Sequence, residues 1–333
     1  MDPITQGVVG AALAQTNGET KTLAKAAVIG ALAGMAPDLD ILIRSSHDPL
    51  LALEFHRQFT HSLLFIPFGA LLCASIFYLL LAKRWQLGFK SIYLWSFLGF
   101  ATHGLLDGCT SYGTLLLWPI TDHRFAWDII SVIDPVFTLP SLALIVLAAK
   151  LKSRRYLWGA MVWGALYLSL GVIQHERALD MGRQLVEERG HQLLRLEAKP
   201  SFANLAVWKL MYETDQRFYI DAVKPGLFGK QVWEGSSVDK INLAKDFPWL
   251  DPNSQQAADI ERFNHFSSGY LGQDLQDNMS IVDVRYSLLP HQIKPLWGIQ
   301  LSETEDNTQH ANFFTRREPR YDSFKKLMTM LFE

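Results

Sequence analysis

With 333 residues, 49% of them hydrophobic and 19% charged, the chain is long enough for about two domains and too apolar to be disordered. A net charge of −2 lacks the basic footprint of a nucleic-acid binder. The charge is unevenly spread: 22 of the first 174 residues are Lys, Arg, Asp or Glu, against 42 of the remaining 159. This split predicts an α-helical polytopic membrane domain over 1–174, with four to six membrane helices, and then a soluble α+β or mainly β domain over 175–333.

The opening Met1-Asp2-Pro3 has no basic stretch before its apolar run, so no cleavable signal peptide is expected. Segments 4–14 and 24–36 are short and rich in Ala and Gly. They suit a hairpin packed closely on a bundle, because small residues let helix backbones approach. Segments 63–82 and 156–173 are uncharged. At about 1.5 Å per residue each matches a hydrocarbon core of about 30 Å. Segments 91–106 and 129–149 are expected to span as well, the first carrying His103 and the second Asp134. Cys73 lies within an apolar run and Cys109 is the other cysteine, so no disulfide framework is expected. Loop 83–90 holds three basic residues and no acid, and loop 150–155 holds four and no acid. By the positive-inside rule both face the cytoplasm, which puts 108–128 and everything after 173 on the periplasmic side.

The polar residues of this half gather at that outer face. Asp2 opens the first segment, Asp38 and Asp40 close the second, and His56, Arg57 and His61 precede the 63–82 span. His103 and Asp107 end the next span, and His123 follows in the loop. His103 and Asp107, four apart, project from one helical face and can share an ion. Asp38 and Asp40 alternate in a segment after Pro37, which puts both on one side if the chain is extended. Imidazole nitrogen with carboxylate oxygen suits zinc, and also manganese or iron. Asp2, Asp38, Asp40, His56, His61, His103, Asp107 and His123 exceed the needs of one tetrahedral ion, which predicts two or three. Such clusters activate water and stabilise an in-line displacement at phosphorus. Asp2-Pro3 and Asp134-Pro135 also fit helix N-caps with Pro at the first helical position.

The opening MDPxT, the PDLD at 37–40, the HRxxTHS at 56–62 and the HGLLD at 103–107 resemble the inner-membrane metal-dependent hydrolase family that includes LexA-regulated bacterial proteins. The likeness covers roughly residues 1–175. It implies a multi-pass protein of the bacterial inner membrane with hydrolytic activity. More distantly, the helical HxxxD with upstream Asp and His is similar to zinc-dependent phospholipase C and P1 nuclease, which implies phosphoester cleavage by a zinc cluster. Members of the family commonly open MDPxTH, whereas this chain has Gln6. An amide is a poor zinc ligand, so either one metal position is weakened or His123 substitutes for it.

From 175 the chain reads as a mixed-charge helix ended by Gly190. Short β-type runs follow at 206–212, 217–223, 281–286 and 297–301, with helix and loop over 241–267. No catalytic motif occurs there. The sequence therefore points to a membrane-bound metal-dependent hydrolase acting on a phosphoester, with a membrane lipid or lipid-linked small molecule as substrate. Asp38, Arg57 and Asp107 are its candidate catalytic residues, Arg57 offering a fork for an anionic group. A metal- or proton-coupled transporter and a catalytically inactive scaffold are the alternatives from other classes.

Overall fold

The computed structural model describes residues 1–226, 229–303, 306–316 and 321–332. The chain divides into two units. The first comprises Met1–Leu42, Phe55–Ile173 and Phe202–Asn204, and the second comprises Ile43–Glu54, Gln174–Ser201 and Leu205–Glu333.

The first unit is helical. Helices α1 (Pro3–Thr16) and α2 (Leu23–Met35) form a hairpin, and a 3-10 helix, Ala36–Leu42, continues from α2. After α3 (Leu51–Phe55) come α4 (Ile66–Trp85), α5 (Phe89–Gly108) and α6 (Pro135–Lys150). Helix α7 (Arg154–Glu188) contributes its residues up to Ile173 to this unit and the rest to the second. The expected span at 156–173 and the helix expected after 175 are thus one continuous element. The span expected at 129–149 is helical only from Pro135, where Asp134 caps the chain through the Val136 and Phe137 amides.

Among the described residues two stretches, Leu63–Trp85 and the apolar part of α7, are long and apolar enough to cross a membrane; α6 is a shorter apolar helix. Leu79 and Leu80 of α4 are 82% and 70% exposed, and Trp158, Val162 and Leu166 of α7 are exposed as well. Apolar surface of this extent is costly in water.

The small residues of α1, α2 and α5 have a structural purpose. A Cβ on Gly30 would lie 2.5 Å from the Gly10 carbonyl oxygen, and one on Gly99 would lie 2.3 Å from the Gly30 carbonyl oxygen. Three backbones therefore touch where a side chain would hold them apart. The hairpin expected from composition is present and seated on α5.

The second unit holds two antiparallel four-stranded meanders. Strands β1 (Arg195–Pro200), β2 (Trp208–Glu213), β3 (Arg217–Pro225) and β4 (Lys230–Asp239) form one sheet in chain order. Strands β5 (Leu271–Asp274), β6 (Asp277–Asp283), β7 (Trp297–Gln300) and β8 (Asn312–Thr315) form the other. Between β4 and β5 lie α8 (Leu243–Asp246) and α9 (Gln255–Phe266), and α10 is Tyr321–Phe332. Met211, Phe218, Ile220 and Val238 of the first sheet share a core with Tyr270, Val282, Val284 and Ile293. Each of the four β-type runs read from sequence overlaps a strand. Strands β1, β4, β5 and β8 went unread: charged and small polar residues interrupt the alternation of the first two, and the last two are four residues long.

Lys209 of β2 is buried, donating from Nζ to Ser287 Oγ (2.9 Å) and to the Gln292 carbonyl (3.2 Å). Burial pushes its ammonium down to about 7, helped by Lys199 and opposed by Asp283. From pH 7 to about 10.5 the unfolded chain then holds a proton that the folded chain has released, so this group makes stability rise with pH across that window. Each pH unit there is worth up to about 1.4 kcal/mol. Lys209→Met is expected to flatten the rise. Melting profiles of the full chain in detergent from pH 7 to 10 check this, and parallel slopes for both proteins would refute it.

Candidate metal centre

Three elements of the first unit bring the site together. Helix α5 presents His103 and Asp107, one turn apart and fully buried. The 3-10 helix after α2 presents Asp38 and Asp40, and a single 3-10 turn, Phe59–His61, presents His61. A Cβ on Gly104 would meet the His61 carbonyl oxygen at 2.2 Å, so the glycine between the two α5 ligands is what lets His61 close onto the helix.

Asp38, His61, His103 and Asp107 each offer a ligand atom, and all four atoms lie within 4.8 Å of one another. The Nε2 atoms of His61 and His103 are 2.9 Å apart. Asp38 Oδ1 lies 3.3 Å from His103 Nε2 and 3.6 Å from His61 Nε2. Asp107 Oδ2 lies 3.3 Å from His61 Nε2 and 3.9 Å from His103 Nε2. With bonds of about 2.0–2.1 Å, neighbouring ligands of a tetrahedral zinc are separated by about 3.3 Å. The observed separations scatter around that value, so the set could hold a metal ion.

The proton positions favour a cation in the middle. His103 Nδ1 donates to the Gly34 carbonyl (2.6 Å), an acceptor only, which leaves its Nε2 a lone pair. His61 Nδ1 lies 2.9 Å from Thr60 Oγ1, whose hydroxyl donates to Asp40 Oδ2 (2.8 Å). That relay makes His61 Nδ1 the donor and its Nε2 a second lone pair. Two lone pairs at 2.9 Å repel unless a positive charge, a proton or a metal ion, sits between them. Burial resists charging His61, but hydrogen bonding to Asp107, Asp38 and Asp40 outweighs it and raises the imidazolium to about 10. Asp107 adds a further sign. Its Oδ1 accepts from Gln6 Nε2 (2.9 Å) and from the Met1 nitrogen, while Oδ2, equally buried, has no hydrogen-bond partner among the described residues.

The remaining candidates take supporting places or lie elsewhere. Asp40 faces His61 Nδ1 at 3.3 Å and pairs with His56 Nδ1 at 2.8 Å, the carboxylate–histidine arrangement that orients a metal-binding imidazole from behind. Arg57 is buried with φ of +66°, its Nε 3.1 Å from Asp107 Oδ2 without hydrogen-bond alignment and its Nη1 donating to Thr110 Oγ1 (3.2 Å). Asp2 caps α1 by accepting from the Thr5 amide, and His123 is exposed, edge-on to Phe125. Neither Asp2 nor His123 belongs to the four-residue group. Gln6, at the position of the family histidine, steadies Asp107. Sequence reading missed Thr60, Gly34 and Gly104. Thr60 and Gly104 lie inside the HRxxTHS and HGLLD motifs, which was the available signal.

The YdjM inner membrane protein family matches residues 1–178. A Bacillus subtilis protein described as the uncharacterized protein YfhP is 26% identical over 229 residues, 66% of this chain and 67% of its own length. The Escherichia coli inner membrane protein YbcI is 34% identical over 108 residues, 31% of this chain and 60% of its own length. No solved structure matches the chain. The matched region of the family contains every residue of the four-ligand group and both candidate spans begin within it, so the chain belongs to the YdjM inner membrane protein family.

Proposed function

We propose that the protein is a metal-dependent hydrolase of the inner membrane that cleaves a phosphoester in a lipid or lipid-linked substrate. One zinc ion is held by Asp38, His61, His103 and Asp107, in place of the two or three ions expected from the ligand count. The observation that carries the reading is the convergence of four ligand atoms within 4.8 Å of one another, with the His61 and His103 Nε2 atoms 2.9 Å apart beside a buried Asp107 oxygen that has no hydrogen-bond partner among the described residues. A divalent ion held by this set would supply Lewis acidity toward water and a phosphoryl oxygen if it accepts a fifth ligand or if Asp38, the exposed carboxylate, gives up its position. Asp38 is the one ligand with appreciable exposure, 23% of its side chain, and so marks the side from which substrate arrives. Leu39 and Leu42, on the same 3-10 helix, are 63% and 75% exposed and offer an amphiphile an apolar approach. Arg57, beside Asp107, offsets the charge of an anionic group. The basic loops at 83–90 and 150–155 favour a cytoplasmic side for both and a periplasmic side for the C-terminal unit.

The test has three arms. Elemental analysis of detergent-purified protein should find about one zinc per chain after zinc is supplied. Phosphatidyl and isoprenoid-phosphate substrates in mixed micelles should be hydrolysed, and a chelator should stop the reaction. Zinc uptake into proteoliposomes without hydrolysis would support the transporter instead, and protein devoid of metal would sink both. Alkaline phosphatase fused after Gly190 should be active; inactivity there, with fluorescence of a cytoplasmic reporter at the same point, would reverse the topology.

A further inference from the structure

Between its two site motifs the chain makes an excursion. Residues Ile43–Glu54 belong to the second unit, whereas the flanks, ending at Leu42 and resuming at Phe55, belong to the first. Those flanks carry the centre: Asp38 and Asp40 precede the excursion, and His56, Arg57 and His61 follow it. Asp40 closes its neck within the first unit. It accepts from the Arg57 amide (3.1 Å) and Thr60 Oγ1 (2.8 Å), and pairs with His56 Nδ1 (2.8 Å).

A side chain of α9 ties the excursion within the second unit. Arg262 of α9 donates Nη1 and Nη2 to the two Asp48 oxygens (3.1 and 2.8 Å) and Nε to Glu54 Oε1 (2.5 Å). Its Nη1 also donates to Asp259 Oδ1 (2.9 Å). Asp259 is itself fully buried and fixed by the Ala311 amide and His310 Nδ1, both at 2.9 Å. The guanidinium is thus anchored on Asp259 and reaches to two acids of the excursion within the same unit. Without it, three carboxylates would be left to repel one another. Glu54 lies two residues before His56 and three before Arg57, the residue at φ +66° beside Asp107. A non-glycine residue in that conformation persists only where its surroundings over-determine it.

We propose that Arg262 is a positioning residue for the metal centre, tying Asp48 and Glu54 to α9 and so setting the chain path through His56 and Arg57. This rests on the four-ligand group binding metal, and linkage then requires that metal binding tighten the excursion in return.

The experiment uses the full chain in detergent, titrated with zinc against a competing chelator. Arg262→Met is expected to weaken zinc binding about tenfold, within the range usual for coupled sites. Arg262→Lys should recover part of that loss, and Glu54→Gln should weaken binding in the same direction. Arg217→Met, which removes the exposed Arg217–Asp239 pair of the same unit, should leave the affinity unchanged. In the unaltered protein, zinc should slow hydrogen exchange across residues 43–57, and in Arg262→Met it should not. A merely structural arginine would lower the melting temperature and move neither readout. Zinc binding at unaltered affinity in both Arg262→Met and Glu54→Gln would overturn the inference and leave the metal reading intact. Should Arg262→Met fail to fold, Glu54→Gln decides alone, and an unaltered protein that binds no zinc removes both.

Discussion

Alanine at His103 or at His61 is expected to weaken zinc binding by more than about 100-fold, whereas Asp40→Asn should cost about 10–100-fold. The difference follows from place. His103 and His61 aim Nε2 at the common point, 2.9 Å apart, while Asp40 stands behind His61 at 3.3 Å. Outer partners orient a ligand and raise its basicity, and their loss typically costs 10–100-fold in affinity; loss of a ligand removes a bond to the ion itself. Asp107→Ala should match His103→Ala, and the double variant should be little worse than either. Residues acting through one ion are not additive. If the two were independent core residues, their losses would appear as additive destabilisation with metal content unchanged. Zinc stoichiometry and melting temperature on the three variants separate these outcomes. Full metal retention in His103→Ala and Asp107→Ala would leave the inactive-scaffold reading in possession.

The second large effect concerns the membrane core. Gly99→Val should leave almost no folded protein in the membrane, because even the first carbon of the new side chain would sit 2.3 Å from the Gly30 carbonyl oxygen and 2.8 Å from its Cα. Both obstacles are backbone, so no side chain can swing aside. The α2–α5 contact must open, and a cost above about 4 kcal/mol places the change among the most severe single substitutions. Gly159→Ala is the matched control. A Cβ there meets only the Leu144 methyls at 3.7–3.8 Å, and alanine in a helix interior is favoured over glycine by roughly 0.5–1 kcal/mol. Membrane-fraction yield and melting temperature report on both. Comparable yield and melting temperature for Gly99→Val and the unaltered protein would mean that α2 and α5 are not in backbone contact.

Much of the membrane unit was legible because its signals are local. Uncharged stretches of eighteen to twenty residues are long enough to cross a bilayer wherever they occur, and His103 with Asp107 share a helical face by periodicity alone. Ala and Gly in the first two segments announced close packing without naming the partner. Asp2-Pro3 and Asp134-Pro135 carried two readings, ligand and cap; the Thr5 amide in one case and the Val136 and Phe137 amides in the other give both a capping role. In the C-terminal half, alternation exposed β2, β3, β6 and β7. The polar edge strand β4 and the four-residue β5 and β8 left too little pattern to read.

The sequence by itself determined that His and Asp residues of metal-binding type cluster in the membrane half, and which motifs bear them. Only the tertiary structure divided those residues into four that converge on one point, a supporting pair in Asp40 and His56, and the outlying Asp2 and His123. Convergence depends on contacts between residues far apart in the chain. The Gly34 carbonyl assigns the His103 tautomer from 69 residues away, and Gln6 saturates one oxygen of Asp107 from 101 away. Spacing along a chain states which side chains can share a helix face. Which nitrogen keeps its lone pair, and what that lone pair faces, is settled by hydrogen bonds that exist only once the helices have packed.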